Sequence, residues 1–198
     1  MNNNRPWDAQ LAFFLVYSLR KSRISPNHLT TIRLLFGVLA AILLSVNDHL
    51  LSNLGALCFV ISNFLDHADG ELARLSNKMS RTGHYYDLAS DAIVNIILFL
   101  GIGIGLSQSD MGLWALLMGI LVGISVAAIF YMRNIIENTI GKTKARQPHF
   151  ARFEAEDVLY LLPLITYFEW LMPFLIFATI GAPTFSLLVL RKYTALNA

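Results

Sequence analysis

Charge is the scarcest property of this chain. Of its 198 residues 14% are charged and 56% hydrophobic, and the mean hydropathy is +0.56. A soluble domain of similar length carries about a quarter charged residues. The shortage excludes an ordinary water-soluble domain and points to one integral membrane domain over residues 1–198. Net charge is only +2, and no Lys/Arg run is interleaved with aromatics, so no nucleic-acid footprint is present. Cysteine is nearly absent too. Cys58 stands alone inside an apolar run, where it reads as a small core residue and says nothing about redox compartment.

What is present is a series of long apolar stretches. Those at residues 29–46, 50–65, 88–106, 111–132, 158–167 and 171–190 predict six transmembrane helices, a bundle over 29–190. The fifth is short and contains Pro163, so a tilt, a kink or an extension by its polar start is expected. The turns after the first, third and fifth stretches ("NDH", "SQSD", "FEW") hold no Lys or Arg. All 15 basic residues fall on the other side or at its margin, which by the positive-inside rule predicts cytoplasmic termini. The N-terminal "RPWDAQLAFFLVYSLRKS" has a short apolar part, its positive charges mostly follow that part, and it shows no small-residue cleavage site. It is expected to be an interfacial helix over about residues 6–22 on the cytoplasmic face rather than a signal peptide. The spacings of Gly101 with Gly105 and of Gly119 with Gly123 suit close helix packing, within or between protomers.

Against this background, residues 65–91, "LDHADGELARLSNKMSRTGHYYDLASD", place four aspartates between two apolar segments. Charges at a membrane margin are costly and call for a function. If the second helix runs on past Leu65, then Asp66, Asp69, Gly70 and Ala73 share one face. If the third begins near Gly83, then Gly83, Asp87 and Asp91 share another. A short connection makes the helices antiparallel and aims all four carboxylates at one point. Two carboxylates about 6 Å apart repel by ~3 kcal/mol even at an effective dielectric of 20. Four must therefore take up protons or hold cations, and oxygen-only ligands suit Mg²⁺ or Mn²⁺, with a count that suits two ions. Gly70, Ala73 and Gly83 leave these faces almost bare, so something bulky is expected to approach there. Arg74 would pair with an anion. Metals, one arginine and small residues describe a phosphoryl-transfer site.

Asp66-x-x-Asp69-Gly70-x-x-Ala73-Arg74, eight residues, then Gly83-x-x-x-Asp87-x-x-x-Asp91 resembles the full signature of the CDP-alcohol phosphotransferases. The "SPNHLT" that opens the first span is similar to the family's Pro-Asn/Asp-x-x-Thr. The resemblance implies that a hydroxyl attacks the β-phosphorus of a CDP-linked alcohol, forming a phosphodiester and releasing CMP. It implies Asp66, Asp69, Asp87 and Asp91 as metal ligands, with Asp91 doubling as general base. Asn27, Thr30, Asp69, Gly70, Ala73, Arg74, Ser80 and Gly83 would contact the CDP moiety. Its length and helix count are similar to the branch using CDP-diacylglycerol and a small polar alcohol in phospholipid biosynthesis, and a homodimer among membrane lipids is expected.

Two other classes compete. A membrane prenyltransferase also holds Mg²⁺ on Asp-rich helices but lacks the Asp-Gly-x-x-Ala-Arg element, and a divalent-cation transporter would hold its carboxylates near the bilayer midplane. His67 and His84 lack zinc spacing and read as margin residues. Arg33 either snorkels to the interface or reaches a phosphate. Asp48, Asp110 and Glu169 are expected in solvated outer turns. For the acceptor, Arg133, Arg152 and Arg191 lie where the last three helices meet the cytoplasm and could hold a phosphate between them. The chain departs from inositol-phosphate-using relatives at "HFARFEAEDVLYLL", where Glu154, Glu156 and Asp157 follow Arg152. These acids suit a solvated helix start or an altered pocket. The balance favours a phosphorylated polyol, such as glycerol phosphate or inositol phosphate.

Overall fold

A computed structural model describes residues 12–14, 16–22, 24–140 and 155–197. These residues are helical and turn structure without strands. The long helices are α1 (Pro26–Leu44), α2 (His49–Leu75), α3 (Arg81–Ser107) and α4 (Leu113–Ile140); a short α5 (Leu162–Tyr167) precedes α6 (Leu171–Asn197). Among the described residues five helices are long and apolar enough to cross a membrane, which defines a multi-pass membrane protein. The expected fifth span is different. A 3-10 helix, Ala155–Leu161, leads into α5, whose first turn carries Pro163. Residues 158–167 rise only about 15–20 Å at helical or 3-10 pitch, short of a ~30 Å hydrocarbon core. Pro163 has no N–H to donate backwards, so the α-helix starts at it rather than running through it.

Local chemistry sets the helix ends that matter. Pro26 fills the first turn of α1, and the backbone N–H of Ser25 donates to His28 Nδ1 at 3.3 Å. Asp48, expected to be merely solvated, caps α2 by accepting from the N–H of Leu51 at 2.9 Å. α2 stops at Leu75 because Asn77 takes a left-handed conformation (φ 56°), and the N–H of Lys78 bonds the carbonyl of Ala73 at 3.1 Å. That is a Schellman ending with Asn in the glycine role. Ser80 then opens α3, its Oγ accepting from the N–H of Gly83 at 3.0 Å.

α3 lies between α1 and α4, α2 flanks α1, and α6 packs on α4. The main core draws Leu44 from α1, Phe59 from α2, Leu98, Phe99 and Ile102 from α3, Val122 from α4, Leu162 from α5 and Leu175 from α6. The glycine spacings are used inside the chain. A Cβ on Gly101 would strike the carbonyl oxygen of Ala41, one on Gly105 that of Leu44, and one on Gly119 that of Phe99. At the opposite end, Ala12 and Val16 pack against Leu29, Ala68 and Leu72. Residues 12–14 and 16–17 are α-helical and are followed by a 3-10 turn, Ser18–Lys21. The remainder of the segment expected to be interfacial lies outside the described residues.

Candidate active site

α2 continues two and a half turns past Leu65, so the first half of the acidic signature is helical as the spacing required. α3 starts two residues before Gly83. Residues 76–80 return the chain, and because α2 and α3 both pack on α1, the two halves come together against that helix. Asp66, Asp69 and Asp87 can each present an oxygen such that the three atoms lie within 4.8 Å of one another. Asp69 is buried (4% exposed), whereas the side chains of Asp66 and Asp87 are 28% and 38% exposed. Thr30 of α1 donates from its hydroxyl to Asp69 Oδ2 at 2.6 Å. Ligand orientation by a neighbouring donor of this kind is usual at metal sites.

Arg33 neither snorkels nor points into open solvent. Its side chain is 2% exposed and forms an ion pair with Asp66. Nη1 donates to Asp91 Oδ1 at 3.0 Å, and Nη2 donates to the backbone carbonyl of Asp87 at 3.0 Å. Nη2 also stands 3.3 Å from Asp87 Oδ1, yet that buried oxygen receives no hydrogen bond. The fourth aspartate is therefore engaged by Arg33, and Asn95 steadies its backbone by donating to the Asp91 carbonyl at 2.9 Å. A buried carboxylate oxygen without a donor, beside two more carboxylates at ligand spacing, fits a hard divalent cation such as Mg²⁺ or Mn²⁺.

Beside the carboxylates is a cavity of about 350 Å³. All eight residues expected around the CDP moiety line it: Asn27, Thr30, Asp69, Gly70, Ala73, Arg74, Ser80 and Gly83. Pro26, Lys78, Met79, His84, Asp87 and Asn134 complete the wall. Arg74 is oriented by Glu71, to which its Nη1 donates at 2.9 Å; Glu71 is 4% exposed and Arg74 56%. The two glycines differ in cause. Nothing lies within 4 Å of a Cβ built on Gly70, so its face is left open to the cavity. A Cβ on Gly83 would stand 2.9 Å from Ser80 Oγ and 3.1 Å from Asn27 Oδ1. A side chain at Gly83 would thus displace the polar ends of Ser80 and Asn27, which stand at this part of the cavity wall.

The arginines expected to hold the acceptor are less concentrated. Arg133 on α4 is half-buried and Arg191 on α6 is exposed; neither lines the cavity, and the α4 residue that does is the adjacent Asn134. Arg152 lies outside the described residues. His84 lines the wall rather than a margin. Lys78, His84 and Asn134 are wall residues that the sequence does not assign to the site, His84 being named there only as a margin residue. The first two have a usable signal, since both lie between or inside the motif halves; Asn134 comes from a helix remote in sequence and has none.

The family follows from comparison with known proteins. The model of the CDP-alcohol phosphatidyltransferase family matches residues 23–182, most of the chain, and the chain belongs to that family. The family is one of phosphatidyltransferases, and membership in it sets aside the prenyltransferase and transporter readings. The chain is similar to the bifunctional IPC transferase and DIPP synthase of Archaeoglobus fulgidus, 37% identical over 81 residues that cover 41% of this chain and 16% of that protein. It is 32% identical over 76 residues to a CDP-diacylglycerol–glycerol-3-phosphate 3-phosphatidyltransferase of Rickettsia prowazekii, covering 38% of this chain and 42% of the relative. The archaetidylinositol phosphate synthase of Pyrococcus horikoshii is 32% identical over 82 residues, covering 41% and 42%. The chain thus spans less than half the length of each of these curated relatives.

Proposed function

We propose that this protein transfers a phosphatidyl group from CDP-diacylglycerol to the hydroxyl of a small polar alcohol, releasing CMP, in phospholipid biosynthesis. The observation that carries the reading is the convergence of both motif halves and the start of α1 on one cavity floored by carboxylates. Asp66, Asp69 and Asp87 would hold a divalent ion there, and Asp91 would complete a site for a second. When bound, Mg²⁺ or Mn²⁺ supplies charge neutralisation at the diphosphate of the donor. The chain's own residues do the rest. Arg74, steadied by Glu71, pairs with a phosphate oxygen of the donor, and Gly70 lets the nucleotide reach the helix backbone. Asn27 and Ser80 offer polar contacts side by side, next to Gly83. Asp91 takes the proton from the acceptor hydroxyl as its oxygen bonds to the β-phosphorus, and the bond to the CMP oxygen breaks.

The site lies at the end of the bundle where the basic residues gather, so the positive-inside rule favours the cytoplasmic side for it. A phosphorylated polyol is the acceptor class we favour. Arg133 and Arg191 lie on helices that reach this end, and two of the relatives are named for glycerol 3-phosphate and archaetidylinositol phosphate. Purified protein with Mn²⁺ and CDP-diacylglycerol, offered a panel of acceptors and resolved by thin-layer chromatography, tests the reading. Glycerol 3-phosphate or inositol phosphate should be consumed in preference to serine or an uncharged polyol. Faster turnover of CDP-choline with diacylglycerol would overturn the donor assignment.

A further inference from the structure

The guanidinium of Arg33 stands where a cation belongs. It touches Asp66, lies 3.0 Å from Asp91 Oδ1 and 3.3 Å from Asp87 Oδ1, and is 2% exposed. Its helix has little freedom to back away. The carbonyl of Arg33 accepts from Ser62 Oγ at 2.9 Å, and one turn further on, a Cβ at Gly37 would meet Val94 at 2.6 Å. α1 is thereby held against both α2 and α3.

The pairing is nevertheless incomplete. Arg33 Nε has no hydrogen-bond partner, and neither has the buried Asp87 Oδ1. A purely structural buried ion pair is stable only when its remaining donors and acceptors are satisfied. Here one donor and one acceptor of the cluster have no hydrogen bond within the protein, so the cluster is not closed on itself. Charge counting points the same way. Four carboxylates and one guanidinium leave three net negative charges. A first divalent ion reduces these to one, where without Arg33 it would leave two. The pull on a second ion is therefore about halved by Arg33.

Building on the metal-dependent reading above, we propose that Arg33 is a positioning residue that serves as the resident cation of the Asp66 and Asp91 side. It holds the carboxylates together before metal arrives. It also makes the two metal places unequal. The first ion meets three net negative charges and the second only one, so the second place fills only as Arg33 moves off the carboxylates it pairs with, Asp66 and Asp91 among them.

The test is Mn²⁺ titration of nucleotide-free protein, by electron paramagnetic resonance, with thermal unfolding in EDTA and in saturating Mn²⁺. Wild type should bind one Mn²⁺ about tenfold or more tightly than the second, and Arg33→Gln should tighten the second by about tenfold. Arg33→Gln should also gain more Tm from Mn²⁺ than wild type does, because its metal-free carboxylates repel without a counter-ion. Arg33→Lys, whose ammonium reaches one carboxylate rather than forking across two, should fall between them, and it carries the test if the Gln variant does not fold. Two equal sites in wild type would overturn the proposal. So would an Arg33→Gln loss of Tm that is the same with and without Mn²⁺, the signature of packing alone, or an Arg33→Lys variant whose gap between sites matches wild type. CMP release by wild type reports separately on the reaction. Its absence with the binding results intact would remove the reaction and leave the role of Arg33 standing.

Discussion

The two ends of α3 are joined to their neighbours by opposite means. At its start, Asp87 and Asp91 meet α1 through the charged fork of Arg33, and the contact leaves polar atoms unsatisfied. At its far end, Gly101, Gly103 and Gly105 meet the backbones of α1 and α4 with no room for a side chain. One end tolerates exchange of partners; the other tolerates no added atom. The difference separates chemistry from stability within a single helix. On the proposed function an ion enters and leaves the first end, while the second fixes the spacing of α3 against α1 and α4.

Substitutions at the two ends should therefore fail in different ways. The largest effect belongs to the carboxylates. Asp87→Asn should lower turnover by about a thousandfold or more, since removal of one preorganised electrostatic group costs on that order. In EDTA its Tm should match or exceed that of wild type, because one of four mutually repelling charges has gone. A melt in EDTA alongside a CMP-release assay separates the two readings, and a variant both inactive and unfolded would blur the contrast between the ends. Gly101→Val should do the reverse. Overpacking against the carbonyl of Ala41 should cost about 1–3 kcal/mol or more of stability, read as a lower Tm, with kcat per folded molecule retained.

A smaller effect is expected at Thr30. Thr30→Val removes the hydroxyl that donates to Asp69 Oδ2 at 2.6 Å, and loss of a ligand-orienting partner should weaken Mn²⁺ affinity by about 10–100-fold. Unchanged affinity would mean that Thr30 acts only as cavity wall. Smaller still is Glu71→Gln. Arg74 is 56% exposed, so releasing it from its anchor should raise the KM for the CDP-lipid by about fivefold at most, in line with about 1 kcal/mol for an exposed pair, with kcat little changed.

Much of the carboxylate end is legible in the amino-acid sequence, and its gaps fall at specific residues. The face-matched spacing of Asp66, Asp69, Asp87 and Asp91 depends only on helical period, so the sequence alone implies both helix extensions. The role of Arg33 is not legible there, because a lone arginine one turn into a span can turn outward or inward. That choice is decided by the rotation of α1 against α2 and α3, a tertiary fact. Gly83 is legible as a position without a side chain, but its closeness to the side-chain ends of Ser80 and Asn27 is not. The fifth stretch takes the form of a 3-10 helix followed by the short α5, a form that hydropathy does not register because it counts apolar residues and not the rise per residue. Asn134 reaches the cavity from α4, and no local pattern ties it to the acidic motif.

Metal-dependent phosphatidyl transfer at the carboxylate end is the central claim. The direct measurement is CMP release from CDP-diacylglycerol by purified protein with glycerol 3-phosphate or inositol phosphate, followed with Mn²⁺, with EDTA, and with Asp66→Asn. CMP and new phospholipid should appear in equal amounts with Mn²⁺, and neither should appear in EDTA or from Asp66→Asn. CMP release that persists in EDTA, or no CMP release from the folded wild-type protein with any acceptor, would contradict the claim.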